Sequence, residues 1–92
     1  MLNINVSRWD VSNVVITRHM FSYSTYDGDL SGWKPDSLKD CSYMFIYSNF
    51  SGDLSEWDVS NVSNTKHMIS DCPLQKHREF WPKGYEQYPL NI

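Results

Sequence analysis

Two histidines, His19 and His67, stand 48 residues apart with Tyr43 midway between them. Imidazoles ligate metals and titrate near neutral pH. If each 24-residue unit of this chain stacks at the spacing of neighbouring strands, the two rings lie roughly 10 Å apart, too far to share an ion. The favoured reading is a pair of helix-surface histidines, with a ligand or pH-sensing role as the alternative. The acidic turns Asp27-Gly28-Asp29 and Ser51-Gly52-Asp53 offer the oxygen chemistry that binds Ca²⁺. The equivalent stretch Asn3-Ile4-Asn5 breaks the ligand set, so turn formation is favoured over calcium. Cys41 and Cys72 fall in different slots of the repeat, seven positions apart. Seven helical residues span about 10 Å, beyond the reach of a disulfide, which predicts free, buried thiols. No nucleophile, base and orienting group assemble from these residues, so the expectation is a chain without catalytic residues, cofactor or metal.

The frame that positions these groups is set by Trp9, Trp33, Trp57 and Trp81, spaced at intervals of 24. A bulky aromatic at one fixed period marks a repeated structural unit, and this period lies in the range of leucine-rich-repeat-like solenoids. Residues 3–26, 27–50 and 51–74 align without a gap, and the first and third share Trp9/Trp57, Asp10/Asp58, Val11/Val59, Ser12/Ser60, His19/His67 and Met20/Met68 among others. Residues 1–74 therefore read as three repeats, and residues 75–92 as a degenerate repeat or C-terminal cap.

Within each block the apolar spacing changes. Val6-x-x-Trp9-x-Val11, Leu30-x-x-Trp33-x-Pro35 and Leu54-x-x-Trp57-x-Val59 have the L-x-x-L-x-L spacing of a repeat strand. Intervals of three and four follow at Val14, Thr17 and Phe21, at Leu38, Cys41 and Phe45, and at Val62, Thr65 and Ile69, which predicts a short helix or 3₁₀ turn with one buried stripe. Asp40 and Asn64 lie near the starts of these segments, where a short polar side chain holds unpaired amides. The glycine turns reverse the chain, a place where positive φ is useful. The expected fold is an α/β repeat, a short right-handed solenoid of 24-residue coils, each with a short parallel strand and a short helix or 3₁₀ turn. The tryptophans would form an aromatic row inside it. Pro35 lacks an amide hydrogen and is the weak point of the strand pairing.

On that frame, the strand residues that do not point inward form three lateral rows: Arg8, Gly32 and Glu56; Asp10, Lys34 and Asp58; Ser12, Asp36 and Ser60. The middle row alternates in sign, and Lys34 between two aspartates relieves their repulsion. Such a face is either a solvated surface stabilised by its own charges or an extended surface for a protein partner. The partner-binding candidates are Arg8, Asp10, Ser12, Lys34, Asp36, Glu56, Asp58 and Ser60, with Tyr23, Tyr26 and Tyr47 as rim contacts or, for Tyr26, core. In the tail, Phe80, Trp81, Tyr85, Tyr88 and Leu90 are expected to cover the last repeat, with docking to another subunit as the alternative.

Net charge is −3 with lysine and arginine scattered, so no basic stripe suits a nucleic-acid backbone. No 18-residue apolar run suits a bilayer, and Met1-Leu2-Asn3-Ile4-Asn5 lacks the regions of a secretory signal, so no membrane insertion is expected. The chain reads as a small soluble domain whose first block opens almost at the first residue without an evident cap.

The run Trp57-Asp58-Val59-Ser60-Asn61-Val62, followed by Thr65, Met68 and Cys72 and preceded by Phe50-x-Gly-Asp-Leu-Ser, resembles the BspA-like leucine-rich-repeat proteins, in their tryptophan-rich WDVSNV-type variety found in bacterial surface proteins and lipoproteins. The resemblance covers about residues 3–74; Lys34-Pro35 and the stretch from His77 to Tyr85 depart from it. It implies adhesion or protein recognition at the cell surface or in secreted form, without catalytic residues. The functional expectation is a non-catalytic, adhesin-like protein-binding repeat module, a monomer using the sheet face. The alternative is a structural subunit of a larger assembly, docking through its open N-terminal coil or its aromatic tail.

Overall fold

Aspartate followed two residues later by serine recurs through the chain, and each occurrence folds the same way. In the computed structural model, which describes residues 5–85, the amides of Ser12, Ser31, Ser42, Ser55 and Ser60 donate to the carboxylates of Asp10, Asp29, Asp40, Asp53 and Asp58 at 2.9–3.0 Å. Asn5 and Asn64 do the same for Ser7 and Lys66. A side chain that captures the amide two residues on builds a turn and competes with helix and sheet. The polar positions of the repeat therefore bend the backbone at short intervals.

Between these bends each block has a segment in which alternate amides serve two purposes. The amides of Thr17, His19, Phe21 and Tyr23 donate to the carbonyls of Asp40, Ser42, Met44 and Ile46 in the next block, while those of Met20, Ser22 and Ser24 close three-residue turns onto Thr17, His19 and Phe21. One period later, Cys41, Tyr43, Phe45 and Tyr47 donate to Asn64, Lys66, Met68 and Ser70. The turns require left-handed backbone at His19, Tyr23, Tyr43, Tyr47, His67 and Asp71, with φ between 53° and 61°. A positive φ every fourth residue is incompatible with either an α-helix or an extended strand.

That geometry overturns the expected α/β solenoid. Among the described residues there is no α-helix and no strand, only isolated parallel bridges at Ile16–Asp40, Asp40–Asn64 and Asp58–Lys83. The two helices are 3₁₀ turns, Pro73–Lys76 and Arg78–Phe80, and lie at the C-terminal end rather than once per block. The intervals of three and four that suggested a short helix are produced by consecutive three-residue turns, which place side chains at similar spacing. Asp40 and Asn64 hold the amides of Ser42 and Lys66 as expected of caps, but what they cap is a turn. The molecule is a small globule of turns, 36 × 26 × 22 Å in extent.

The core is nonetheless periodic. The indole N–H of Trp33 donates to the Val6 carbonyl and that of Trp57 to the Leu30 carbonyl, both at 2.9 Å. Their rings stack with centroids 6.0 Å apart and planes 6° from parallel. Phe21 stacks on Phe45, and Phe45 on Phe50. Leu30, Leu54, Met44, Met68 and Ile69 fill the space around them. The expected interior tryptophan row holds for these two indoles and fails for Trp9, which is 53% exposed. Trp81 is half-buried and bonds to Leu74 within its own segment, so it too leaves the row.

Glycine serves a purpose other than the one expected. Gly28 and Gly52 do not take positive φ; a Cβ on Gly52 would sit 2.7 Å from the Phe50 ring, and one on Gly28 would sit 2.2 Å from the Tyr26 hydroxyl. Each makes room for an aromatic ring folded back over the turn. Tyr26 stacks on Phe21 and is a core residue rather than a rim contact. The bridge at Asp58–Lys83, in which Val59 donates to Lys83 and Lys83 to Trp57, has no counterpart between the second and third blocks. Pro35 stands there and has no N–H to give.

Phe80, Trp81 and Tyr85 pack against the third block, with the Leu54 amide bonded to the Phe80 carbonyl. Tyr88 and Leu90 lie outside the described residues. Cys41 and Cys72 are free and buried, as expected, although the helical spacing that predicts their separation is absent among the described residues. Burial raises both thiols, Cys41 to about 12 with help from the charge of Asp40.

Candidate binding surface

The charged rows read from the sequence are displayed on turns, since the described residues form no sheet to carry them. Arg8, Asp10, Lys34, Asp36, Glu56, Asp58 and Ser60 are exposed and Ser12 is half-buried. Asp10 accepts both the amide and the hydroxyl of Ser12, and Asp58 both groups of Ser60, the hydroxyl contacts being 2.7 and 2.6 Å. These bonds hold both carboxyls below the usual range, the serine hydroxyl being the larger cause, and Lys83 lowers Asp58 further. The structure thus joins Asp10 to Ser12 and Asp58 to Ser60. Lys34 makes no ion pair among the described residues. Among the described residues the one cross-block pair joins Arg18 to Asp40, whose carboxyl falls to about 2 through the Ser42 hydroxyl first, then the Ser42 amide and Arg18.

A second surface is built by the left-handed residues. His19 stacks on Tyr43 at 4.9 Å and 11°, and Tyr43 packs against His67 at 5.6 Å. Beside them Tyr23 stacks on Tyr47 at 5.1 Å, and these two rings are 74% and 53% exposed. Left-handed backbone costs a non-glycine residue roughly 1–2 kcal/mol, and every ring in both rows is carried by such a residue. The equal spacing of His19, Tyr43 and His67 was visible in the sequence. Their stacking, and the partnership of Tyr23 with Tyr47, depend on the turns that aim them. His67 also bonds to Ser70 at 2.9 Å.

The acidic glycine turns are occupied with their own backbone: Asp29 and Asp53 each hold the amide two residues on, and the serine bonds outweigh their mutual repulsion in keeping Asp53 low. Among the described residues no three His, Cys, Asp or Glu side chains are grouped to hold a metal ion, and no helix is long and apolar enough to cross a membrane.

No curated protein and no solved structure matches the chain. A family model does match, over residues 1–81, and its description is "Mycoplasma protein of unknown function, DUF285". The match runs over well more than half of the 92-residue chain and places the protein in that family: it belongs to DUF285.

Proposed function

We propose that this chain is a non-catalytic protein-binding module that presents rows of side chains at a fixed interval. The observation that carries the reading is the pair of ring rows, His19–Tyr43–His67 and Tyr23–Tyr47. Stacked aromatic rings, exposed at His19, Tyr23 and Tyr47 and half-buried at Tyr43 and His67, offer a large contact area with little conformational entropy to lose, the property that makes tyrosine frequent among binding hot spots. The same left-handed turns that join successive blocks aim these rings at one another, so the rows are pre-organised by the fold. The charged positions Arg8, Asp10, Ser12, Lys34, Asp36, Glu56, Asp58 and Ser60 supply a second set of contacts, pre-organised where serine fixes the carboxylate. The resemblance to BspA-like surface proteins supports recognition at a cell surface, as an adhesin does.

The test is capture of partner proteins from a host-cell surface extract on immobilised protein, comparing wild type with Tyr23→Ala/Tyr47→Ala and with Lys34→Glu. Loss of two hot-spot rings should weaken binding by roughly thirtyfold or more. Retention by the double tyrosine variant of everything the wild type retains would refute the role of the ring rows. Unchanged binding by Lys34→Glu would remove the charged row from the interface.

A second reading, a structural subunit of a larger assembly, is favoured by one feature. Trp9, Val15, Ile16 and Met20 are 40–61% exposed and all belong to the first block.

A further inference from the structure

Backbone acceptors and aromatic faces both lose their partners at the outer rim of the first block. The carbonyls of Asp40, Ser42, Met44 and Ile46 accept amides from the first block, and those of Asn64, Lys66, Met68 and Ser70 accept amides from the second. Their equivalents at Ile16, Arg18, Met20 and Ser22 accept none among the described residues. The rings repeat the contrast. Tyr43 is covered by His19 and Tyr47 by Tyr23, whereas His19 and Tyr23 are exposed and each stacks on a single ring among the described residues. Trp9 is 53% exposed where Trp33 and Trp57 are 3% and 1%, and among the described residues its indole N–H lacks the carbonyl that those two reach one block back.

We infer that this rim binds a neutral oligosaccharide, a ligand that goes beyond the protein partner proposed for the ring rows and does not depend on it. A pyranose presents polarised C–H groups on one face and hydroxyls around its edge. The C–H groups suit the negative face of an aromatic ring, and hydroxyls, which both donate and accept, suit a line of carbonyls and an indole N–H together. Other ligands fit less well. A sulfate or carboxylate is acceptor-only at neutral pH and finds no partner in a row of carbonyls. A lipid chain would bury those carbonyls unsatisfied. An extended peptide carries donors at the wrong spacing, because the turns closed onto Thr17, His19 and Phe21 draw residues i and i+3 within about 7 Å, against roughly 10 Å along a strand. His19 and Tyr23 stand four residues apart on this compressed segment, with the free carbonyls of Met20 and Ser22 between them in the chain. Using both rings therefore takes a ligand of at least two linked sugars.

The test is isothermal titration of the 92-residue chain with chitotetraose, cellotetraose and lacto-N-tetraose as neutral probes, and with a sialylated and a sulfated tetrasaccharide. The expected result is saturable, submillimolar binding of at least one neutral probe and weaker binding of both acidic ones. Trp9→Ala and His19→Asn should each weaken that binding by roughly tenfold, asparagine being chosen because it tolerates the left-handed backbone at His19. Trp9→Phe keeps a ring face and should retain most of the affinity; circular dichroism confirms that the variants fold. Saturation transfer from aromatic protons of the wild type to the sugar C–H protons reads the same contact without any substitution. Absence of saturable binding by every neutral probe, equal affinity of wild type, Trp9→Ala and His19→Asn, or tighter binding of the acidic probes overturns the inference. Self-association abolished by Trp9→Ala, with no sugar bound, overturns it in favour of the assembly reading, and each of these failures leaves protein capture by Tyr23 and Tyr47 to its own test.

Discussion

Replacing Trp57 and Trp9 by phenylalanine separates the contribution of packing from that of sequence identity, because both residues occupy the same slot of the repeat. Trp57 is 1% exposed, stacks on Trp33 and donates its indole N–H to the Leu30 carbonyl. That carbonyl also accepts the Trp33 amide at 3.1 Å, so removing the indole does not orphan it, and the bond itself is worth about 1 kcal/mol. Shrinking the ring in a close-packed site adds on the order of 1–2 kcal/mol. The sum, about 2–3 kcal/mol, lowers the melting temperature of a domain this size by roughly 10–20 °C. Trp9→Phe acts on a half-exposed ring with no such bond and should stay within about 0.5 kcal/mol. Thermal unfolding followed by far-UV circular dichroism reads both. Equal shifts for the two variants would refute the claim that block-to-block packing, rather than the residue type, sets the energetic role of each tryptophan.

The glycines give a paired test: Gly52→Ala drives a methyl into the buried Phe50 ring and should destabilise by about 1–3 kcal/mol, whereas Gly32→Ala meets nothing within 4 Å and should stabilise by about 0.4–1 kcal/mol in the same melts. The folded carboxyl of Asp40, at about 2 against 3.8 when unconstrained, contributes stability that is complete above about pH 4 and is lost as pH falls towards 2. Asp10, Asp29, Asp53 and Asp58 are lowered in the same direction and add to the loss. Asp40→Asn should flatten the acid limb of a melting-temperature profile, and an unchanged limb would remove Asp40 as its source. Cys41 and Cys72 should react with a thiol reagent at pH 8 only at the rate of unfolding, because burial hides them and raises their pKa; fast stoichiometric labelling of the native protein would contradict the packing.

The period of 24, the pairing of Trp33 with Trp57 and the burial of the cysteines were legible in the sequence, because residue type and spacing report burial; that the thiols are unpaired agrees with the expectation, but the helical spacing behind it is not there among the described residues. So was the turn role of Asp29 and Asp53, since aspartate beside serine and glycine forms a local bond whatever surrounds it. Strand and helix were misread. Apolar spacing of three and four is shared by helices and by consecutive three-residue turns, and only the backbone, with positive φ at His19 and Tyr23, distinguishes them. Nor does the sequence mark Trp9 as exposed: like Trp57 it is followed by Asp-Val-Ser-Asn-Val, and the difference lies in what packs over it. The charged rows were legible as residues but not as a surface, because their positions follow from turns formed by Ser12 and Ser60 rather than from a pleated sheet. Local hydrogen-bonding chemistry is written in a few adjacent residues and so belongs to the sequence. Which amide meets which carbonyl one block away, and which ring is left facing water, depends on where the chain returns, and the tertiary structure alone decided it.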